Sequence, residues 1–316
     1  MKIISFKYIL VFAYLVFLSS YSQSTDTEKK KNFKNFTELY KGDTEDNVFN
    51  KFLEKKKSKL NSLNIDQTKI DVLESEYFEF RVNNLTKKRA EEYFIKLNVG
   101  GSNKNKVEQQ KNEKATVVIS KALDALKKGL TATKNEAEAL KTIIALEKEA
   151  DLLKPILSPV VSKKGNNKSL KINNLMFEFP STLQPPTIRP STINRELYLV
   201  YPEYKVNNFL TIKKKFYYNG ASIPSFAWQL VGTPFEPSLT RAGVIHDWLY
   251  SSASKGKTEA FRNKADHMFY ELLVDSKIHW FRAWVIYEAV DIAGKIPFKK
   301  AKRKLTSTNF SKEEIK

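Results

Sequence analysis

Two apolar-periodic runs joined by a short polar loop constrain this chain more than any other feature. They read RAGVIHDWLYSSASKGKTEAFRNKADHMFYE, from Arg241 to Glu271. Leu239, Ala242, Ile245 and Leu249 recur at helical spacing, and Ser238 or Thr240 is placed to cap the start. This predicts a helix over Ser238 to Ala253. SSASKGK is small, polar and carries a glycine, so it reads as a loop. Phe261, Ala265, Met268, Phe269 and Leu272 then mark a second helix from Glu259 to Asp275. So short a connection makes the two helices antiparallel neighbours. Asp266 is thereby expected to return alongside His246.

His246 and Tyr250 are four residues apart and share one helix face, while Asp247 is turned away by about 100°. A neutral histidine held by a carboxylate is a competent general base, because the acid fixes the tautomer and stabilises the imidazolium. Asp247, facing elsewhere, is free to bind a cation. The competing reading is a hydrogen-bonded core histidine that locks two helices together.

HDWLY followed by KADHMFYELL resembles the helix pair of the secreted phospholipases A2, above all the compact bacterial ones. The resemblance covers about thirty residues and implies a role for each. His246 would activate water, Asp266 would orient it, Tyr250 would support the pair, and Asp247 would be a calcium ligand. Calcium is therefore the one cofactor suggested. Those enzymes are disulfide-linked and carry a glycine-rich calcium loop upstream; this chain has no cysteine, and Gly220 and Gly232 stand singly.

A wider resemblance runs from about Leu170 to Gly294. FYYNGASIPSFAWQLVGTPF, RAGVIHDWLY, NKADHMFYELL and WFRAWVIYEAV occur in the order seen in domain-of-unknown-function family 1353, found in phage and bacterial genomes. Its members usually carry an aspartate before Gly-Ala-Ser-Ile-Pro, where Asn219 stands here. These motifs add Asn219, Gly220, Ser222 and Trp248 to the candidate site residues.

Around this segment the chain reads as an α+β protein: a signal peptide, a mainly helical N-terminal region, then antiparallel strands followed by a helical His-Asp core. Residues 1–22 read as a signal peptide, with Lys2 and Lys7 before an apolar core from Tyr8 to Leu18. This predicts export to the periplasm or outside the cell. Residues 23–114 are rich in lysine and asparagine and read as a polar, partly disordered region, loosely ordered or exposed helix up to about residue 60. Within it LESEYFEFRV, Leu73 to Val82, alternates like a strand, with a helix as the alternative, and Gly100 to Lys114 reads as a linker.

Residues 115–162 form an expected helical hairpin. Gly129 stops its first helix, Thr133 and Glu136 box the start of the second, and Pro155 and Pro159 end it. KKGNNK, Lys163 to Lys168, marks a boundary. The α+β domain follows over 168–298, with LKINNLMFEF, RELYLVY and FLTIKKKFYY as strands and QPPTIRP as a proline-rich loop. A third helix over Ile278 to Ala293 carries Trp280, Trp284 and Tyr287 as a core stripe. Either Glu288 or Asp291 could face the His246 pocket. His279 shows no partner, and His267 is turned away from Asp266.

The net charge of +19 concentrates in lysine, and the basic tail over 299–316 continues KIPFKKAKRK. Lysine runs give diffuse attraction to anionic surfaces rather than bidentate phosphate reading. With an export signal and no nucleic-acid motif, nucleic acid is a poor partner and an anionic envelope surface or lipid a better one; no protein partner is indicated. Two leading functions follow, beside a weaker third, a metal-dependent enzyme whose carboxylate ligands would favour calcium or magnesium over zinc. One is an exported hydrolase acting on an ester, phospholipid included, with His246 as base. The other is a non-catalytic phage-related or cell-envelope module whose His/Asp cluster is a structural polar network.

Overall fold

The computed structural model describes residues 48–60, 67–98, 106–131, 135–157, 170–172, 175–177, 184–190, 198–207, 210–214, 216–218, 230, 237–251 and 259–294. The expected signal peptide and basic tail lie outside them, as do Asn219, Gly220 and Ser222. Helices predominate, with three small antiparallel sheets. The chain divides into two compact units, 1–84 and 85–316.

In the first unit, α1 (Val48–Leu60) presents Phe49 and Phe52 to Tyr77 of α2 (Gln67–Asn98), with ring centroids 5.1 and 5.3 Å apart. Val48, Phe49 and Phe52 are buried, so α1 has one covered face; the rest of the stretch read as loosely ordered or exposed helix, residues 23–47, lies outside the described residues. The strand expected over Leu73 to Val82 is helix. Ile70, Leu73 and Tyr77 are buried at spacings of three and four, and this helical stripe outweighs the local alternation.

In the second unit α2 continues, burying Leu85, Tyr93 and Leu97 along one face. The expected linker is cut short, because α3 (Lys106–Thr131) already begins within it. Buried Asn112 donates from Nδ2 to the Leu97 carbonyl at 2.9 Å, satisfying one of the acceptors left open at the end of α2. The hairpin of α3 and α4 (Glu136–Leu152) forms as expected. Val118, Ile119, Ala122 and Leu126 face Ala139, Ile143, Leu146 and Ala150.

Its ends differ in detail from the sequence expectation. Gly129 does not stop α3, which runs on to Thr131, and Asn135 at the N-cap of α4 makes no side-chain cap bond. Pro155 sits inside a further helical turn at 154–157, where its missing N–H goes unneeded.

The strands are shorter and more numerous than expected. LKINNLMFEF is two strands, β1 (Leu170–Ile172) and β2 (Leu175–Phe177), paired antiparallel with Leu170 opposite Phe177. The proline-rich loop contains β3 (Ile188–Pro190), which pairs with β4 (Tyr198–Val200). Proline is tolerated because β3 is an edge strand. β5 (Tyr204–Lys205) pairs with β6 (Thr211–Ile212), and β7 (Tyr217–Tyr218) closes the order β3-β4-β7.

Three helices follow: α5 (Pro237–Tyr250), α6 (Glu259–Asp275) and α7 (Trp280–Ala293). α6 lies between α5 and α7, and α7 also touches α3 and α4. Every residue of α7 from Trp280 to Ile292 except Arg282 is buried, so it is a central helix and its aromatic stripe is core. Arg241 of α5 caps the end of α6, donating to the Leu272 carbonyl at 3.2 Å and to Asp275 at 2.7 Å.

His279, without a partner in the sequence reading, caps α7 by accepting from Phe281 N, and its Nε2 meets Asp151 of α4 at 2.9 Å. Trp280 Nε1 donates to the same carboxylate at 2.9 Å, and Arg282 to Glu147 at 2.7 Å. Polar contacts thus dock the hairpin on the central helix. Among the described residues no helix is long and apolar enough to cross a membrane.

Candidate functional site

The site is built where α5 and α6 face each other. His246 Nε2 lies 2.9 Å from Asp266 Oδ1, and the same oxygen accepts from the Tyr250 hydroxyl. The predicted trio of His246, Asp266 and Tyr250 is therefore brought together. His246 is 2% exposed and Asp266 fully buried. A carboxylate only accepts, so Nε2 carries the proton and Nδ1 is left as the variable position. The imidazole packs at a tilt against Tyr250, with centroids 4.1 Å apart, and against Phe269 at 4.9 Å.

Asp247 is less remote than its helical angle suggests. Its Oδ1 lies 3.9 Å from His246 Nδ1, too far for a hydrogen bond but close enough for a strong charge effect, and it is only partly buried. Burial pulls the His246 pKa down, but the hydrogen bond to Asp266 and the charges of Asp247 and Asp266 outweigh it, and the net shift is upward from 6.5. Burial, reinforced by Asp266, drives the Tyr250 hydroxyl well above its ordinary range, so it stays protonated and donates. Asp247 also adds to the burial that raises Tyr218. Trp248 stands beside the site, half-buried, with Phe216 edge-on at 5.0 Å.

The sequence reading missed what lies behind Asp266. Arg262, one turn earlier on α6 and fully buried, donates from Nη1 to Asp266 Oδ2 at 2.7 Å. Its Nη2 reaches Asp291 Oδ1 on α7 at 3.1 Å. Of the two acids left open on α7, Asp291 is the one that joins this group. Arg89 of α2 donates to the other oxygen of Asp291 and lies 3.6 Å, Nε to Oε2, from Glu288. Those two atoms are both buried without a hydrogen bond, and they face each other as an ion pair. Glu288 accepts from the Tyr93 hydroxyl, which accepts from Trp284 Nε1 at 3.1 Å.

A continuous polar chain thus runs from His246 to Trp284. The available signal was the spacing Leu85, Arg89, Tyr93, Leu97, which puts Arg89 on the buried stripe of α2. His267, facing away from Asp266 as expected, lies against Tyr270, Tyr287 and Glu271.

Among the described residues no group of three or more His, Asp or Glu is arranged to hold a metal ion.

Comparison with known proteins agrees with the motifs. Residues 196–290 match the family described as Protein of unknown function (DUF1353). That match encloses α5, α6 and most of α7, so the class is that of a helical His-Asp domain preceded by short antiparallel strands. The chain is also 33% identical over 76 residues to the uncharacterized protein y4jT of Sinorhizobium fredii. The alignment spans 24% of this chain and 21% of that relative. No solved structure is significantly similar.

Proposed function

We propose that His246, Asp266 and Tyr250 form an acid–base site of hydrolase type. His246 Nδ1 takes a proton from the water that attacks the ester carbonyl and returns it to the departing alkoxide as the acyl–oxygen bond breaks, with phospholipid as the leading substrate class. The observation that carries this is the way Asp266 is held. His246, Tyr250 and Arg262 fill both of its oxygens, so the imidazole is locked with its proton on Nε2 and its basic nitrogen turned toward the partly buried Asp247. That preorganisation is what a general base requires. The step is derived without a metal, and calcium enters as an arm of the test.

The test is ester hydrolysis by the full chain on mixed zwitterionic and anionic phospholipid vesicles, with calcium or with chelator. His246→Gln should lower the rate by about 100-fold or more while keeping the fold. Unchanged activity in His246→Gln, or a wild-type protein inert toward phospholipid and simple esters alike, would sink this reading.

One observation favours the second reading, a non-catalytic phage-related or envelope module. The polar chain continues from Asp266 through Arg262, Asp291, Arg89 and Glu288 to Tyr93, far beyond what water activation needs. On that reading the network specifies one helix packing, and replacing His246 costs stability alone.

Export and attraction to an anionic envelope surface are part of the same proposal. Lys2 and Lys7 before the apolar run Tyr8 to Leu18, and the +19 net charge, support them. Cell fractionation with sequencing of the N-terminus checks the first, and salt-dependent binding to anionic vesicles the second.

A further inference from the structure

We propose that Arg262 and Arg89 act in series as positioning residues for the His246–Asp266 pair, so that α2, outside the matched residues 196–290, completes the site. This rests on the reading of His246 as the working base, but its physical content is independent of any reaction.

Asp266, Asp291 and Glu288 are buried carboxylates, and the cations that touch them are Arg262 and Arg89. Among the described contacts, three carboxylates meet two guanidinium groups, and Glu92 is a further acid on Arg89. Arg262 cannot turn freely. Its Nη1 is shared between Asp266 Oδ2 and the Asp291 carbonyl at 3.1 Å, and its Nη2 between Asp291 Oδ1 and Asn263 Oδ1 at 2.9 Å.

The fork is therefore aimed at Asp266 only while Asp291 stays in place. Arg89 holds Asp291 from the opposite side through Oδ2, and is itself fixed by Glu92 at 2.9 Å and by Glu288. Removing Arg89 takes from Asp291 Oδ2 its guanidinium donor and from Glu288 its ion pair. Arg262 is then drawn toward Asp291, its bond to Asp266 lengthens, and Asp266 rotates away from His246 Nε2. A planar fork transmits position in this way, whereas a lysine in its place would supply charge without direction.

The test is NMR of the full chain, following the downfield proton on His246 Nε2 that its bond to Asp266 produces. His246→Gln identifies the signal by removing it. Arg89→Gln should broaden it beyond detection or shift it upfield by several tenths of a ppm or more, and Arg89→Lys should restore it in part. Arg241→Gln is the control for general destabilisation, because that buried arginine pairs with Asp275 and Ser276 at the end of α6.

An unmoved signal in Arg89→Gln overturns the proposal, and so does an equal shift in Arg241→Gln. If Arg89→Gln does not fold, the signal is read in Asp291→Asn, which keeps the shape of the side chain; again, no change overturns the coupling. A wild type without hydrolase activity would overturn the proposed reaction and leave this result untouched.

Discussion

At the scale of residues, His246 sets how the protein responds to pH. Its folded-state pKa is raised above 6.5, the value appropriate to the unfolded chain. The sign follows from that direction: protonated His246 favours the folded state, the contribution is fully present below about 6.5, and it is lost as pH rises through the folded value. Wild type should therefore exceed His246→Gln in stability by more at pH 5.5 than at pH 9, by urea unfolding at each pH. Equal differences at both would remove the charged pair from the account. The same shift constrains catalysis: a base must be neutral, so activity should climb with pH along a limb centred above 6.5.

Asp266 is the more fragile member, since Asp266→Ala strips buried Arg262, His246 and Tyr250 of one shared acceptor. It should cost about 3–5 kcal/mol by denaturant unfolding. Gly294, just past α7, gives a subtler probe. A Cβ there would come within 2.5 Å of the Val290 carbonyl and 2.8 Å of the Tyr250 hydroxyl. Gly294→Ala should cost about 1–3 kcal/mol and displace Tyr250 from Asp266, visible as a change in tyrosine fluorescence or ultraviolet absorption.

At the scale of elements, the cap between α6 and α7 makes a prediction of opposite sign. Lys277 has φ 67°, the left-handed conformation that favours glycine, directly after α6. Ile278 N bonds the Leu273 carbonyl at 3.1 Å across that turn, so the conformation is fixed by the cap. Lys277→Gly should stabilise by about 1 kcal/mol, read from the shift of the urea midpoint at constant slope.

The same helices show what the sequence made legible. α6 was readable to its ends because Phe261, Ala265, Met268, Phe269 and Leu272 repeat within a stretch bounded by polar loops. The meeting of His246 with Asp266 followed from the short connection alone. What stayed hidden depends on long-range partners. Nothing near Arg262 says that its fork ends on Asp291, 29 residues away, and nothing near Arg89 announces a partner 202 residues on. The strand expected at Leu73 to Val82 failed for a related reason. Local alternation there competed with a stripe over Ile70, Leu73 and Tyr77, whose burial, against α1 at Tyr77, no local pattern announces.

At the scale of the whole molecule, the recognised segment is smaller than the body it works in. The family match covers residues 196–290, while the compact unit runs from 85 to 316. The central helix α7 accounts for the difference. Trp284, Val285 and Ile286 are within 1% of complete burial. Part of the cover for α7 comes from α3 and α4, and its two acids both pair with Arg89 of α2. A fragment starting at Lys168 would expose one apolar face of α7 and leave Asp266, Asp291 and Glu288 with Arg262 as their one cation among these contacts. Both effects act against folding, the first through apolar area returned to water and the second through uncompensated buried charge. Fragment 85–316 should therefore unfold in one cooperative transition with near-ultraviolet circular dichroism like that of the full chain. Fragment 168–316 should lack that signal and bind a hydrophobic dye. A sharp, cooperative transition in 168–316 would show instead that the recognised segment carries its own core, and that the helices before it are an attachment rather than part of the site.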